Sequence, residues 1–423
     1  MIAACLTFTS LFGSYYINDV ISAIKAMNAG ENQIRKTSSI YAVKFSPVNG
    51  VKDLEGRTIG ILSNISREGT DQVISELTNR SLKFNIVQYE SSIAMMNDFK
   101  GQAIDCVIID DAYLSVISDY EGYENIESTI KKVYTYEYYV DKVDTISSVD
   151  VTENPFTVLI SGIDTYGEIS ETSRSDVNII VSVNPKTKNV VIASIPRDYY
   201  VDMVCDAATG CPNGQKDKLT HAGLYGVEAT EQTIENMLGI EINYNAKINF
   251  SSLETIVDSL GGVTVQNDNK FTAGGYTFEA GTLNLNGPQA LAYSRERKSF
   301  LAGDRTRGQN QMRVIRGIID KLLSPAILND FSGLMSSISS TIQTNMTYEE
   351  MTSLVNMQLS DGASWRIFTL SLNGTDGNEF SPSIGDNAYV MYPDENTMVP
   401  VRNDIQAIMN GDKPAYGTES KTS

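Results

Sequence analysis

The chain predicts an α/β protein: a central mixed β-sheet flanked by helices, preceded by a smaller N-terminal α/β unit. Three observations carry this. Apolar strand-like runs alternate with amphipathic helical stretches along the 423 residues, a length that favours two domains. A strand pair, VNIIVSVNP and NVVIASIPRD, joined through NPKTKN, reads as an antiparallel hairpin inside the larger part. At 41% hydrophobic residues there is ample material for a core.

In the smaller part, expected at 35–150, DLEGRTIGIL ends in a strand and REGTDQVISELTNR carries Val73, Ile74 and Leu77 on one helical face. KFNIVQYES, SIAMMNDFKGQ and AIDCVIIDDAYL continue as strand, helix and strand. This alternation implies parallel pairing, and the order resembles one lobe of a solute-binding protein. The acidic, Tyr-rich stretch from Lys131 to Asn154 reads as the domain junction. The larger part, expected at 155–415, opens with the buried strand FTVLISGID. SSLETIVDSLGG reads as a helix with a capping box of Ser251 and Glu254. QNQMRVIRGIIDKLLSP is amphipathic, and TYEEMTSLVNMQL begins with a second box, Thr347 and Glu350. Beyond Gly377 the chain reads as loop.

Residues 1–18 carry no charged side chain. At ~1.5 Å per residue such a helix barely matches a ~30 Å hydrocarbon layer. The stretch reads as the outer part of a membrane anchor whose start is missing, with an ordinary buried helix as the alternative. Cys5 and Cys106 read as buried thiols. Cys205 and Cys211 flank the polar loop CDAATGC, giving a small disulfide outside a cell and free thiols inside.

Six arginines fall in the 24 residues from Tyr293 to Arg316, in a chain of formal charge −19. The global charge repels nucleic acid, and there is no basic groove or tail, so DNA binding is excluded. A local arginine cluster working against that field points to a bound anion, because the guanidinium fork donates in parallel to phosphate or carboxylate. A salt-bridged, solvated helix face is the competing reading. His221 is the single histidine and no nucleophile elbow accompanies it, so it reads as packing or capping the loop KLTHAG.

Four charged loops can meet. Asp164 follows the first strand, Arg174 and Asp176 sit in SRSD, Arg197 and Asp198 end NVVIASIP, and Arg295, Arg297, Asp304, Arg305 and Arg307 precede Gln311 and Arg313. In α/β folds the loops at strand ends converge on one edge. The set fits a pyrophosphate held by arginines, with Asp164 and Asp176 able to hold Mg²⁺ or Mn²⁺. For the aspartates the competing reading is helix capping or ion pairing with Arg174, and for Arg197 an ion pair with Asp198.

The ordered motifs SGID, SRSD, NPKTKNVVIASIPRD, KLTHAGLYG, LGGVTV, ALAYSRER and GDRTRGQNQ resemble the LytR-CpsA-Psr family over 155–325. Within it, the chain is similar to streptococcal capsule members with an accessory domain ahead of the catalytic one. The resemblance implies a membrane-anchored enzyme on the extracellular face of a Gram-positive cell. It would move a polyprenyl-pyrophosphate-linked glycan, here capsule, onto peptidoglycan by forming a phosphodiester. Asp164 and Asp176 match the Mg²⁺ ligands, and Arg174, Arg197, Arg295, Arg297, Arg307 and Gln311 the pyrophosphate binders. Lys218 matches more weakly near the phosphates, and Asp304 matches the acid of the GD-x-x-R motif. Arg197, Arg295, Asp198 and Asp304 are the expected catalytic set, either aspartate taking the acceptor proton. A prenyl tunnel is implied, with Met312, Ile315 and Ile319 as lining candidates. Other capsule-assembly proteins are possible partners. The rival functions are a pyrophosphatase acting on the same lipid and a lipid-sensing regulator of capsule synthesis.

Overall fold

The computed structural model describes residues 33–141, 149–163, 169, 172–300, 304–324 and 331–421. The expected anchor at 1–18, including Cys5, and Asp164 lie outside the described residues.

The N-terminal sheet has five strands in the order Asn85–Tyr89, Thr58–Leu62, Cys106–Asp110, Gln33–Val43, Ile130–Asp141. The first three pair in parallel, joined by helices Arg67–Asn79 and Ser92–Lys100, as strand–helix alternation requires. Residues 112–114, expected to end the third strand, belong instead to a helix, Ala112–Ile117. The two long remaining strands are antiparallel additions that the alternation does not announce. Their charged and hydroxyl residues hide them: Lys36, Ser38 and Ser39 are buried in the first. The Tyr-rich stretch read as a junction is therefore strand as far as Asp141.

The second sheet is mixed and has seven strands. Its order is Gln343–Thr344, Tyr244–Ile248, Phe156–Gly162, Val177–Asn184, Asn189–Ile195, Arg366–Ser371, Thr418–Lys421. Val177–Asn184 and Asn189–Ile195 form the expected hairpin, pairing from Asn184↔Asn189 to Asn178↔Ile195. Alternation sorts their side chains to two faces. Ile179, Val181, Val190 and Ile192 pack against helices Phe250–Ser259, Gly287–Arg295 and Asp304–Leu322. Ile180, Val191, Ala193 and Ile195 pack against Val227–Leu238 and Glu395–Asn410.

Three boundaries differ from expectation. The helix expected to start with Ser251 is capped by Asn249, whose side chain accepts from the Ser252 N–H in a box with Ser252. The Thr347–Glu350 box forms as expected. The helix Asp304–Leu322 begins five residues before QNQMR, taking part of the arginine cluster into its first turns. The region beyond Gly377 is not loop. It holds a hairpin, Gly374–Ser381 with Asp386–Pro393, then helix Glu395–Asn410 and an edge strand. The hairpin is polar and Pro400 interrupts the helical pattern, yet Met398, Val401, Ile405 and Ile408 keep one buried face.

That hairpin is where the N-terminal sheet docks. Ser92 donates to the Ile384 carbonyl through its backbone N–H (3.0 Å) and its hydroxyl (2.9 Å). Ser91 Oγ donates to Asp386 Oδ2 at 3.0 Å. Tyr113, Leu114 and Ile117 share a core cluster with Met203, Leu224, Tyr225 and Ile384. Cys205 and Cys211, in the same cluster, are disulfide-bonded; Cys106 is buried and free. A buried polar chain crosses the junction: the Tyr113 and Tyr225 hydroxyls lie 3.1 Å apart, and Tyr225 is 2.9 Å from Ser383 Oγ. Tyr225→Phe leaves both neighbours short of a partner. It should lower stability by about 1–3 kcal/mol, read as a lower urea midpoint; an unchanged midpoint would show the chain to be energetically idle.

Candidate functional site

One edge of the seven-stranded sheet collects the charged loops for a simple reason of register. Phe156–Gly162 and Tyr244–Ile248 are parallel, with Ile248 opposite Gly162. Gly162 also faces Val177 across an antiparallel pair, and Asn178 faces Ile195. The ends of Phe156–Gly162, Tyr244–Ile248 and Asn189–Ile195 and the start of Val177–Asn184 thus share one edge. Residues 174–176, 197–198 and 249–250 are delivered there together. Helix Gly287–Arg295 adds its C-terminal Arg295, and helix Asp304–Leu322 adds Arg307 and Gln311 from its first two turns.

These groups line a cavity of about 220 Å³. Arg174, Asp176, Arg197, Arg295, Arg297, Arg307 and Gln311 form its polar wall. Ile160, Ile163, Val177, Ile179, Leu253, Leu291, Val314 and Ile315 form an apolar one. Of the three tunnel candidates only Ile315 is in this wall. Met312 faces a separate groove with Arg313 and Arg316, and Ile319 packs beside the core.

Arg174 and Arg197 are only 5% and 8% exposed, so their charges need local compensation. Asp176 supplies it: Arg197 Nη1 donates to Oδ1 at 2.7 Å and Arg174 Nη2 to Oδ2 at 3.4 Å. Burial opposes ionisation of Asp176, but Arg197 and Arg174, with help from Arg307, hold its carboxyl well below the usual range. Arg295 stacks its guanidinium on Phe250, 3.9 Å from the ring centroid, which orients it at the cavity mouth.

Asp198 and Lys218 are not in the cavity wall. They lie behind Arg197: Lys218 Nζ is 2.5 Å from Asp198 Oδ1, and Asp198 Oδ2 is 3.6 Å from Arg197 Nε. Burial raises the Asp198 carboxyl, but Lys218 and Arg197 outweigh it and hold it low. Asp304 opens its helix, and its side chain and that of Arg305 lie outside the described residues. Arg313 faces away from the site and pairs with Asp268. His221 is structural, as expected: Nδ1 is 2.9 Å from the buried Asp217 Oδ1.

Sequence reasoning missed two kinds of residue. Thr220 is a brace. Its N–H donates to the Arg197 carbonyl (2.8 Å), its carbonyl accepts from the Ser175 N–H (3.0 Å), and its hydroxyl donates to Asp176 (3.0 Å). No charge pattern marks it. The other is Asp119, from the N-terminal unit, which also lines the cavity. Nothing local in ISDYEG signals that destination.

Among the described residues no three of His, Cys, Asp and Glu gather as a metal cluster. A hard divalent ion takes one or two carboxylates and fills its remaining positions with phosphate oxygens and water. The ionised Asp176 at the cavity wall fits that demand.

The fold agrees with comparisons to known proteins. The model of the LytR_cpsA_psr family matches residues 120–406, and the chain belongs to that family. A Bacillus licheniformis protein, "Polyisoprenyl-teichoic acid--peptidoglycan teichoic acid transferase TagU", is 37% identical over 207 residues, covering 48% of this chain and 65% of its own length. Its Bacillus anthracis namesake is 34% identical over 233 residues, covering 55% of this chain and 74% of its own. The crystal structure of B. subtilis TagV superposes with a TM-score of 0.51 at 29% identity, covering 61% of this chain and 98% of that one. The chain thus spans just under two thirds of the first relative.

Gly223 tests the brace. A Cβ there would lie 2.5 Å from both Ser173 O and Ser175 N, on either side of Arg174. Gly223→Ala should cost about 1–3 kcal/mol by overpacking and should weaken pyrophosphate binding by moving Arg174. Wild-type melting and affinity together would contradict this account of the loop.

Proposed function

We propose that the protein is a Mg²⁺-dependent glycopolymer phosphotransferase. It takes a polysaccharide from a polyprenyl-pyrophosphate carrier and joins it to peptidoglycan through a phosphodiester. The observation that carries this reading is the shared mouth of an arginine-lined anion site and an apolar cavity, which matches a diphosphate bearing a hydrocarbon chain. The names of the TagU relatives support the same reaction class. Those names favour teichoic acid as the polymer, whereas the sequence resemblance favours capsule polysaccharide.

In this reading Arg174, Arg197, Arg295, Arg297 and Arg307, with Gln311, hold the diphosphate, and the first prenyl units lie against Ile160, Ile163, Leu253, Leu291 and Ile315. Asp176 and the expected Asp164 would hold Mg²⁺, which would supply further charge neutralisation for the phosphoryl oxygens. An acceptor hydroxyl attacks the phosphorus bearing the glycan. The new P–O bond forms as the bridging P–O bond breaks, and polyprenyl phosphate leaves with the bridging oxygen. The arginines stabilise the charge gathering on that oxygen, so the site needs no histidine or thiol. The acceptor proton passes to a carboxylate. Asp198 is committed to Lys218 behind Arg197, so Asp304 takes that role here.

Catalysis on the extracellular face of the membrane follows from the substrate, with anchoring by the segment at 1–18. Among the described residues no helix is long and apolar enough to cross a membrane. Other capsule-assembly proteins would deliver the polymer.

Arg295→Ala is the cleanest test, because Arg295 stacks on Phe250, whereas Arg197 is buried among carboxylates whose exposure to an alanine would destabilise the fold. Arg295→Ala should lower transfer to peptidoglycan by about 10²–10³-fold with the melting temperature retained. EDTA should abolish turnover, and added Mg²⁺ or Mn²⁺ should restore it. Near wild-type turnover in Arg295→Ala would refute the scheme. Mass spectra showing polyprenyl phosphate with only free glycan would favour a pyrophosphatase.

A further inference from the structure

The arginine pair at the heart of the site is already touched by an acid that belongs to neither the second sheet nor its loops. Asp119 follows the short helix Ala112–Ile117 of the N-terminal unit, and its N–H donates to the Val116 carbonyl at 3.2 Å. Arg174 Nη1 donates directly to Asp119 Oδ2, and Arg197 Nη2 lies 3.6 Å from the same oxygen. Asp119 also lines the cavity.

Three features distinguish it from Asp176, the other acid on the pair. Asp176 is buried, accepts from the Thr220 hydroxyl, and is fixed within the sheet edge. The Asp119 side chain keeps 35% of its surface exposed, against 9% for Asp176. It reaches the site only because the N-terminal unit docks through Tyr113, and through Tyr120, whose hydroxyl donates to the Asn387 carbonyl at 3.3 Å. The carboxylate presents one anionic oxygen, Oδ2, to both guanidiniums, the kind of charged acceptor that a phosphoryl oxygen would also offer them.

We propose that Asp119 is a placeholder that occupies the position of a phosphoryl group on Arg174 and Arg197, and that a bound diphosphate must displace it. This rests on the diphosphate reading above and extends it. The N-terminal unit then sets the affinity of the site: a weakly bound anion leaves Asp119 in place, and a tightly held diphosphate displaces it. Anion and carboxylate compete for the same two guanidiniums, so the apparent affinity falls by the fraction of molecules in which Asp119 has let go.

The test is calorimetric titration of inorganic pyrophosphate and, separately, inorganic phosphate into the wild type, Asp119→Asn and Asp119→Ser, each with and without Mg²⁺. Asn keeps the shape and removes the charge; Ser guards against an amide that mimics the carboxylate. Both variants should bind pyrophosphate and phosphate about tenfold more tightly, each by a similar factor, because the same displacement cost is removed for both anions. A purely structural role for Asp119 would not tighten binding. Unchanged or weaker binding in both variants overturns the proposal. Weakening confined to the Mg²⁺ titrations also overturns it, because it would make Asp119 a ligand of the cation. In parallel, Arg295→Ala should lose affinity for pyrophosphate. If it does while the Asp119 variants do not gain, the diphosphate site stands and the placeholder alone fails; if no protein binds pyrophosphate, both fall.

Discussion

The structure depends on keeping Arg174 and Arg197 charged inside a wall that excludes water. Guanidiniums cannot shed their protons, so burial must be met by fixed carboxylates. Asp176 meets it from within the sheet edge, Asp198 from behind, and Asp119 from the neighbouring unit. Removing Asp176 or Asp198 from this lattice would leave a buried charge uncompensated, at a cost of about 3–5 kcal/mol, whereas the more exposed Asp119 contributes less. The same fact makes the lattice useful. Donors that are desolvated and already oriented need move little themselves once Asp119 gives way to an incoming anion, which is the physical basis of electrostatic catalysis at phosphorus.

Everything around the pair reads as support for it. Thr220 ties the backbone of Arg197 to Ser175 and to the Asp176 carboxylate, and Gly223 lets that brace approach closely. Lys218 engages Asp198, which keeps that acid from competing for the cavity face of Arg197. On the apolar side, inward residues of two strands meet helix faces at the same opening. A ligand with a charged head and a hydrocarbon tail satisfies both walls at once, and in the proposed function that ligand is the lipid-linked donor.

The sequence announced the parts of this picture that have local periodicity or local charge. The hairpin Val177–Asn184 with Asn189–Ile195 is two unbroken apolar runs around a turn, and it is found as read. Arg174 and Arg197 stood out as charge beside strands, and Arg295, Arg297 and Arg307 as an arginine cluster just ahead of Gln311; one cavity gathers them all. What stayed illegible depends on distant partners. Gln33–Val43 is a strand because Cys106–Asp110 and Ile130–Asp141 pair with it, while its own Lys36, Ser38 and Ser39 break the apolar pattern that would announce one. The hairpin near 374–393 carries too little apolar pattern to be seen, yet it docks the N-terminal unit and so places Asp119. Asp198 and Lys218 were legible as charges but not as a pair turned away from the cavity, since side-chain direction at a strand end is set by tertiary contacts.

The most direct measurement is a crystal structure of the protein bound to a polyprenyl-pyrophosphate glycan or a short-chain analogue. The account predicts diphosphate oxygens within hydrogen-bond distance of Arg174 and Arg197, flanked by Arg295, Arg297 and Arg307, with the prenyl chain running past Ile160, Leu253 and Ile315. A diphosphate bound elsewhere, with the two buried arginines still engaged only by their aspartates, would contradict it.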